Sequence, residues 1–335
     1  MDLQKKLPRK LKVKNSSKIE DNNDKPRLVV IVGPTASGKS ELAVFLALRF
    51  GLRQAQKQYG IQGAEIISAD SRQVYEYMDI GTGKITKKEM AGIPHHLLDV
   101  AHPSRQFTVV QYKKKALKVI RDIQRRGKLP ILVGGTGFYI QAVVDNVDFP
   151  AVPPNNKLRS KLRSLSAEEL FKKLQKLDPN RAATIDAKNK RRLVRALEII
   201  EATGKLFPSK AGILPAFDTL ILGIDITREE LNKKIEKRLK KQFSRGLVAE
   251  IKRLHEKYGV SWRRLEYHGL EARWVAQYLQ GKTIKQELWD NLLQDTKKYA
   301  KRQMTWFRRD HRIRWVKNKK EAERIVASFL KNYPS

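Results

Sequence analysis

The chain has 335 residues and no cysteine, which excludes disulfides, thiolate metal sites and cysteine nucleophiles and suits a reducing compartment such as the cytoplasm. Its 70 Lys and Arg against 35 Asp and Glu leave a net charge of +35. Such an excess attracts polyanions with salt-dependent affinity, so nucleic acid is the foremost partner and a solubilising surface the alternative. No apolar run reaches the roughly 20 residues of a bilayer span, so no membrane association is expected.

Residues 1–26 are basic, then acidic, and lack an apolar core, so they read as a disordered basic tail and not as a secretory leader. The run RLVVIVG, from Arg27, ends in glycine as a buried parallel strand does. KSELAVFLALRF predicts the helix after it, and AEIISAD, ending at Asp70, a second strand. The polar stretch 51–63 either lengthens the helix or forms a loop. Further on, Val109, Ala116, Ile120 and Ile123 make a helical stripe that Gly127 stops, and Ile131 to Val133 form a strand entering the glycines of GGTG.

Prolines in DFPAVPPNN then mark a change to charged helical sequence. Residues 140–205 are therefore read as a helical insertion, with 27–139 and 206–335 forming the catalytic core. DTLILGIDI gives a last sheet element, Thr227 an N-cap for the basic helix that follows, and the remainder reads as helical.

Gly33, Pro34, Thr35, Ala36, Ser37, Gly38, Lys39 and Ser40 match G-x-x-x-x-G-K-[ST] between a strand and a helix, the context of a phosphate-binding loop. Its glycines let backbone amides converge on phosphate oxygens, Lys39 neutralises them, and Ser40 can ligate Mg²⁺. The loop and the alternation of strand and helix predict an α/β fold: a P-loop NTPase-like parallel sheet flanked by helices, with a helical insertion. Ligands then bind at the carboxyl ends of the strands.

Asp70 stands where a nucleotide hydrolase keeps a metal or water carboxylate. Ser71, Arg72, Gln73 and Tyr75 follow at once, and they equally suit a strand end that receives a nucleobase; both readings stand. Thr136 in GGTG opens at the same edge. Lys234, Arg238, Lys241 and Arg245 share one helical face, either solvated or phosphate-binding. From Lys297 to Trp315, cations alternate with Tyr299, Trp306, Phe307 and Trp315, which either stack bases or fill the core.

Together GPTASGKS, EIISADSRQVYEYMDIGTGK, GIPHHLLDV, LPILVGGTGFYI, RRLVRALEIIEATGK and YAKRQMTWFRR resemble the tRNA dimethylallyltransferase family, also called tRNA isopentenyltransferases, from Arg27 to about Trp315. The resemblance implies transfer of a dimethylallyl group from dimethylallyl diphosphate to the exocyclic amine of the adenine 3′ of the anticodon, with Mg²⁺ and without ATP. It implies that Asp70 accepts the amine proton, that Thr136 contacts substrate and that Arg238 binds diphosphate, and it makes Gly33 to Ser40 the diphosphate loop. It places Asp70 to Gln73, Thr136, Arg159 and the run Arg191, Arg192, Leu193, Val194, Arg195 against the tRNA anticodon stem-loop, and it implies a monomer. The chain departs from the family at GTGKIT, at Lys234 and Gln242, and at GLEA (269–272), and its lack of cysteine rules out the zinc finger of eukaryotic members, which suits a bacterial type.

Overall fold

The structure, a computed structural model, describes residues 25–204 and 215–331. The expected tail therefore lies outside the described residues apart from Lys25 and Pro26, as do position 205, the last of the expected insertion, and 206–214, the start of the second core segment. Among the described residues six strands form one sheet: β1 (Arg27–Val32), β2 (Ala64–Ser68), β3 (His95–His96), β4 (Leu129–Gly134), β5 (Asp218–Ile224) and β6 (Ile313–Val316). Their spatial order is β3-β2-β4-β1-β5-β6, and every pairing is parallel. Parallel strands need crossovers, and helices supply them on both faces.

Alternation along β1 divides the core. Leu28, Val30 and Val32 face one side, where Tyr112, Ile120 and Ile123 of helix Val109–Arg125 pack, while Val29 and Ile31 face Leu42, Leu46 and Phe50 of helix Lys39–Phe50. All of these side chains are buried, which explains why the strand reads as a continuous apolar run. The chain goes from β1 to β2 and β3, returns to insert β4, and then adds β5 and β6 beyond β1. That reversal opens a crevice beyond the carboxyl ends of β1 and β4.

Two strands escape the sequence reading. β3 is only two residues long, and β6 lies in the basic segment read as helical, because an edge strand with Ile313 and Val316 buried around exposed Arg314 offers little apolar pattern. The stretch 51–63 resolves into a short helix, Arg53–Tyr59, stopped by Gly60 in the left-handed region at φ 66°.

Helices Asn156–Ser164, Ala167–Leu177, Pro179–Thr184 and Lys190–Thr203 enclose a small core of their own around Leu162, Leu170, Leu174, Leu193 and Leu197. Asn155, Ser166, Asp178 and Asn189 cap them through their side-chain oxygens. Position 140, the expected start of the insertion, falls inside helix Gly137–Val144, whose Tyr139 stacks on Tyr112 of the main core at 4.0 Å. Among the described residues no helix is long and apolar enough to cross a membrane.

Candidate active site at the carboxyl edge of the sheet

The loop after β1 is shaped to receive an anion. Helix Lys39–Phe50 starts at Gly38, in the left-handed region at φ 98°, and no side chain caps it, so its first amides remain available. The Ser37 hydroxyl is buried and has no hydrogen-bond partner among the described residues, an orphan that a phosphate oxygen would satisfy. Lys39 folds over the loop and donates to the Pro34 carbonyl at 2.6 Å. Burial pulls its ammonium down to about 7; the Asp70 carboxylate opposes that shift and the Arg238 guanidinium adds to it. Ser40 is exposed at the start of the helix.

The loop after β2 supplies the facing carboxylate. Asp70 Oδ1 accepts from the Arg72 amide at 2.8 Å and the Gln73 amide at 3.4 Å, an Asx turn, whereas Oδ2 has no partner among the described residues. Thr136 is bolted to this turn. Its amide donates to the Ala69 carbonyl at 3.2 Å, and its Oγ1 accepts from the Ser71 amide at 3.0 Å. Gly134 makes that approach possible, because a Cβ there would overlap the Ala69 backbone.

Arg238 is the one cation of its stripe that turns inward. Nη2 donates to the Thr82 carbonyl at 2.8 Å, and the guanidinium lies so close over Gly83 that a Cβ there would collide with it. Lys234, Lys241 and Arg245 are exposed. The segment beneath Arg238 is held by Glu250, whose carboxylate accepts from the amides of Asp79, Ile80 and Gly81 at 2.9, 2.7 and 2.8 Å. Gln242 completes the hold by donating to the carbonyls of Ile80 and Gly81. Burial pushes the Glu250 carboxyl up, and these amides pull it back. Glu271 is likewise pushed up by burial and opposed by Arg238.

A family model described as IPP transferase matches residues 73–310. A tRNA dimethylallyltransferase from Carboxydothermus hydrogenoformans is 40% identical over 316 residues, covering 91% of this chain and 96% of the relative. The chain belongs to this family. A second relative of the same name, from Caldanaerobacter subterraneus, is 39% identical and covers 86% of this chain and 91% of its own. Among solved structures, the tRNA isopentenylpyrophosphate transferase of Bacillus halodurans is 35% identical with a TM-score of 0.67, covering 91% of this chain and 96% of that one. A eukaryotic dimethylallyltransferase described as acting on tRNA is 28% identical with a TM-score of 0.75, covering 92% and 80%. As a member of the IPP transferase family the chain is an enzyme, a prenyltransferase.

Within this prenyltransferase, two of the side chains suited to base reading do other work. Gln73 donates to the Gly83 carbonyl at 3.3 Å and shares a hydrogen bond of 3.3 Å with the Ser68 hydroxyl, tying two loops together. Tyr75 is buried, and its hydroxyl accepts from the Phe107 amide at 3.1 Å and from Arg264 at 3.2 Å. Arg72 keeps its side chain free of hydrogen bonds among the described residues.

In the insertion, buried Glu198 accepts both arms of Arg159 at 2.8 Å, as well as Arg195 and the Asn155 amide. Leu193 and Val194 belong to the local core, so of that run Arg191 and Arg192 are the exposed side chains, with Arg191 reaching the Tyr267 hydroxyl at 3.4 Å.

Sequence reasoning missed Gln303. Its Oε1 accepts from the Thr35 amide at 2.8 Å and its Nε2 donates to the Gly135 carbonyl at 2.8 Å, joining the phosphate loop to the Thr136 loop from inside. The signal was present: Leu288, Leu292, Thr296, Ala300, Gln303 and Phe307 form the buried stripe of helix Lys285–Phe307, and an amide in such a stripe needs partners.

Among the described residues no group of three or more His, Asp or Glu side chains is arranged to hold a metal. Mg²⁺ held chiefly by phosphate oxygens and water needs only one or two protein oxygens, and exposed Ser40 beside the anion cradle fits that demand.

Proposed function

We propose that this prenyltransferase moves the dimethylallyl group of dimethylallyl diphosphate onto the exocyclic amine of the adenine 3′ of the anticodon in tRNA, giving N6-dimethylallyladenosine. One observation carries the reading: the anion cradle and a carboxylate with one uncommitted oxygen share an edge, close enough for Asp70 to act on the Lys39 ammonium. In the step, the allylic C–O bond breaks and its electron pair leaves with the diphosphate. The adenine nitrogen bonds to the freed carbon, and its proton passes to Asp70.

The loop amides, Ser37, Lys39 and Arg238 face the charge that develops on the leaving group, and losing one such donor typically costs about 2.7–4 kcal/mol of barrier. Mg²⁺, held by Ser40 and the diphosphate, would supply further positive charge there when bound. A carboxylate accepting the amine proton contributes about 10² to 10⁴ in rate. The adenine must leave the anticodon stack to reach Asp70, with Arg72 and Thr136 at the turn that receives it.

The anticodon stem-loop is held by exposed Arg191 and Arg192, while Glu198 fixes Arg159 and Arg195 into the supporting scaffold. The working division is a core with an inserted helical unit of residues 156–203, acting as a cytoplasmic monomer. The test is transfer of label from dimethylallyl diphosphate to tRNA with Mg²⁺ and no ATP, with AMP as competing acceptor. Labelled tRNA is the expected product; label that remains on the donor, or passes to AMP in preference, overturns the reading.

A further inference from the structure

Trp306 and Phe307 are neighbours in sequence with opposite fates. Phe307 is 3% exposed in the main core, whereas Trp306 is 37% exposed on the outer face of helix Lys285–Phe307. The indole is not loose. Its pyrrole edge sits so close to Gly137 that a Cβ there would overlap it, which fixes the ring one residue beyond Thr136. Trp306 also lines a surface cavity of about 270 Å³ with Lys301, Arg302, Thr305 and Arg309. The nearby acids are engaged elsewhere: Asp310 pairs with Arg312, and Asp295 accepts from Trp274 and lies near Lys298. A half-exposed aromatic face thus stands in a cavity whose charged side chains are all cationic, on the helix whose Gln303 clasps the loops after β1 and β4.

We infer that this cavity is a nucleotide subsite: one unpaired base flanking the target adenine stacks on Trp306, with its phosphate on Arg302 and Arg309. The inference rests on the reading of tRNA as substrate. Every base has a π-face, so an aromatic platform binds without choosing sequence, and the guanidinium groups hold the backbone that the turned-out adenine pulls toward the crevice. A protein-facing role fits less well, because a cavity lined by three cations and a threonine, with one aromatic, gives an apolar partner little to bury.

The experiment measures binding of an anticodon stem-loop carrying 2-aminopurine beside the target adenine, to the full chain and to Trp306→Ala, Trp306→Phe and Arg309→Gln, across a salt series. Trp306→Ala is expected to weaken binding about fivefold to a hundredfold, the span of one base–aromatic stack, and to abolish the fluorescence change, with KM for dimethylallyl diphosphate unchanged. Trp306→Phe should retain most of the affinity. Arg309→Gln should lower the salt slope by about 0.7, the value of one single-strand phosphate contact. Wild-type affinity in Trp306→Ala overturns the subsite, as does a loss confined to kcat and the donor KM, which would make the indole a prop for Gly137. Because binding needs no turnover, a chain that binds the stem-loop in this way yet transfers no label would refute the proposed reaction and leave the subsite standing.

Discussion

Strand β2 carries a carboxylate near each end, and the two are treated in opposite ways. Glu65, at the amino end, is buried and saturated: Arg126 donates to both oxygens, Lys128 to one and His96 bonds the other. Arg126 above all, with Lys128 and His96, holds its carboxyl well below the usual range against the opposing effect of burial. Asp70, just past the carboxyl end, has two amides on one oxygen and, among the described residues, no hydrogen bond on the other. The amino end of the sheet is closed by charge pairing, and the carboxyl end keeps polar atoms uncommitted where the loops converge on a ligand. Glu65 is thereby spent on holding the scaffold, while the free oxygen of Asp70 and the unpartnered Ser37 hydroxyl stay available at the crevice.

Exchanging what each carboxylate can do breaks or sharpens that contrast. Asp70→Asn should slow label transfer by about 10² to 10⁴ with little change in melting temperature, and near-normal turnover would remove Asp70 from the step. Glu65→Ala should do the reverse, costing about 1–3 kcal/mol in denaturant unfolding because three part-exposed basic groups lose a buried partner, while the rate per folded molecule holds. In the phosphate loop, Lys39→Ala should lower kcat by about 10² to 10³. Gln303→Ala leaves the Thr35 amide and the Gly135 carbonyl without their partner, so about 1–3 kcal/mol of stability should go with a higher KM for the donor.

A last effect is in pH, and it is small near neutrality. Free Lys39 gives up its proton at about 7, and only the charged form attracts diphosphate, so kcat/KM for the donor should fall above pH 7 by up to tenfold per unit. A flat profile from pH 7 to 9 would show that the Lys39 proton is not needed.

Much of this site was legible because glycines and a strand-loop-helix context leave marks in sequence. Gly33 to Ser40, Asp70 and Thr136 meet at one edge because parallel strands all present their carboxyl ends there. Side-chain direction was less legible. Arg238 shares a spacing with Lys234 and Lys241, yet it turns inward because Gly83 leaves room for its guanidinium, a fact that depends on a segment more than 150 residues away. Tyr75 and Gln73 carry groups that suit a base but are consumed by neighbours that only folding brings near. The tie between Glu198 and Arg159 spans 39 positions and reads in sequence as two ordinary surface charges.

The central claim is that the loop after β1 holds a diphosphate that departs, and not a phosphate that is transferred. Counting products in one reaction tests it most directly: labelled dimethylallyl diphosphate, tRNA and Mg²⁺, with γ-labelled ATP added as a decoy. One diphosphate released per prenylated tRNA, with the ATP intact, is the expected result. Consumption of the γ-phosphate in step with product, or prenylation that stops when ATP is withheld, would contradict it.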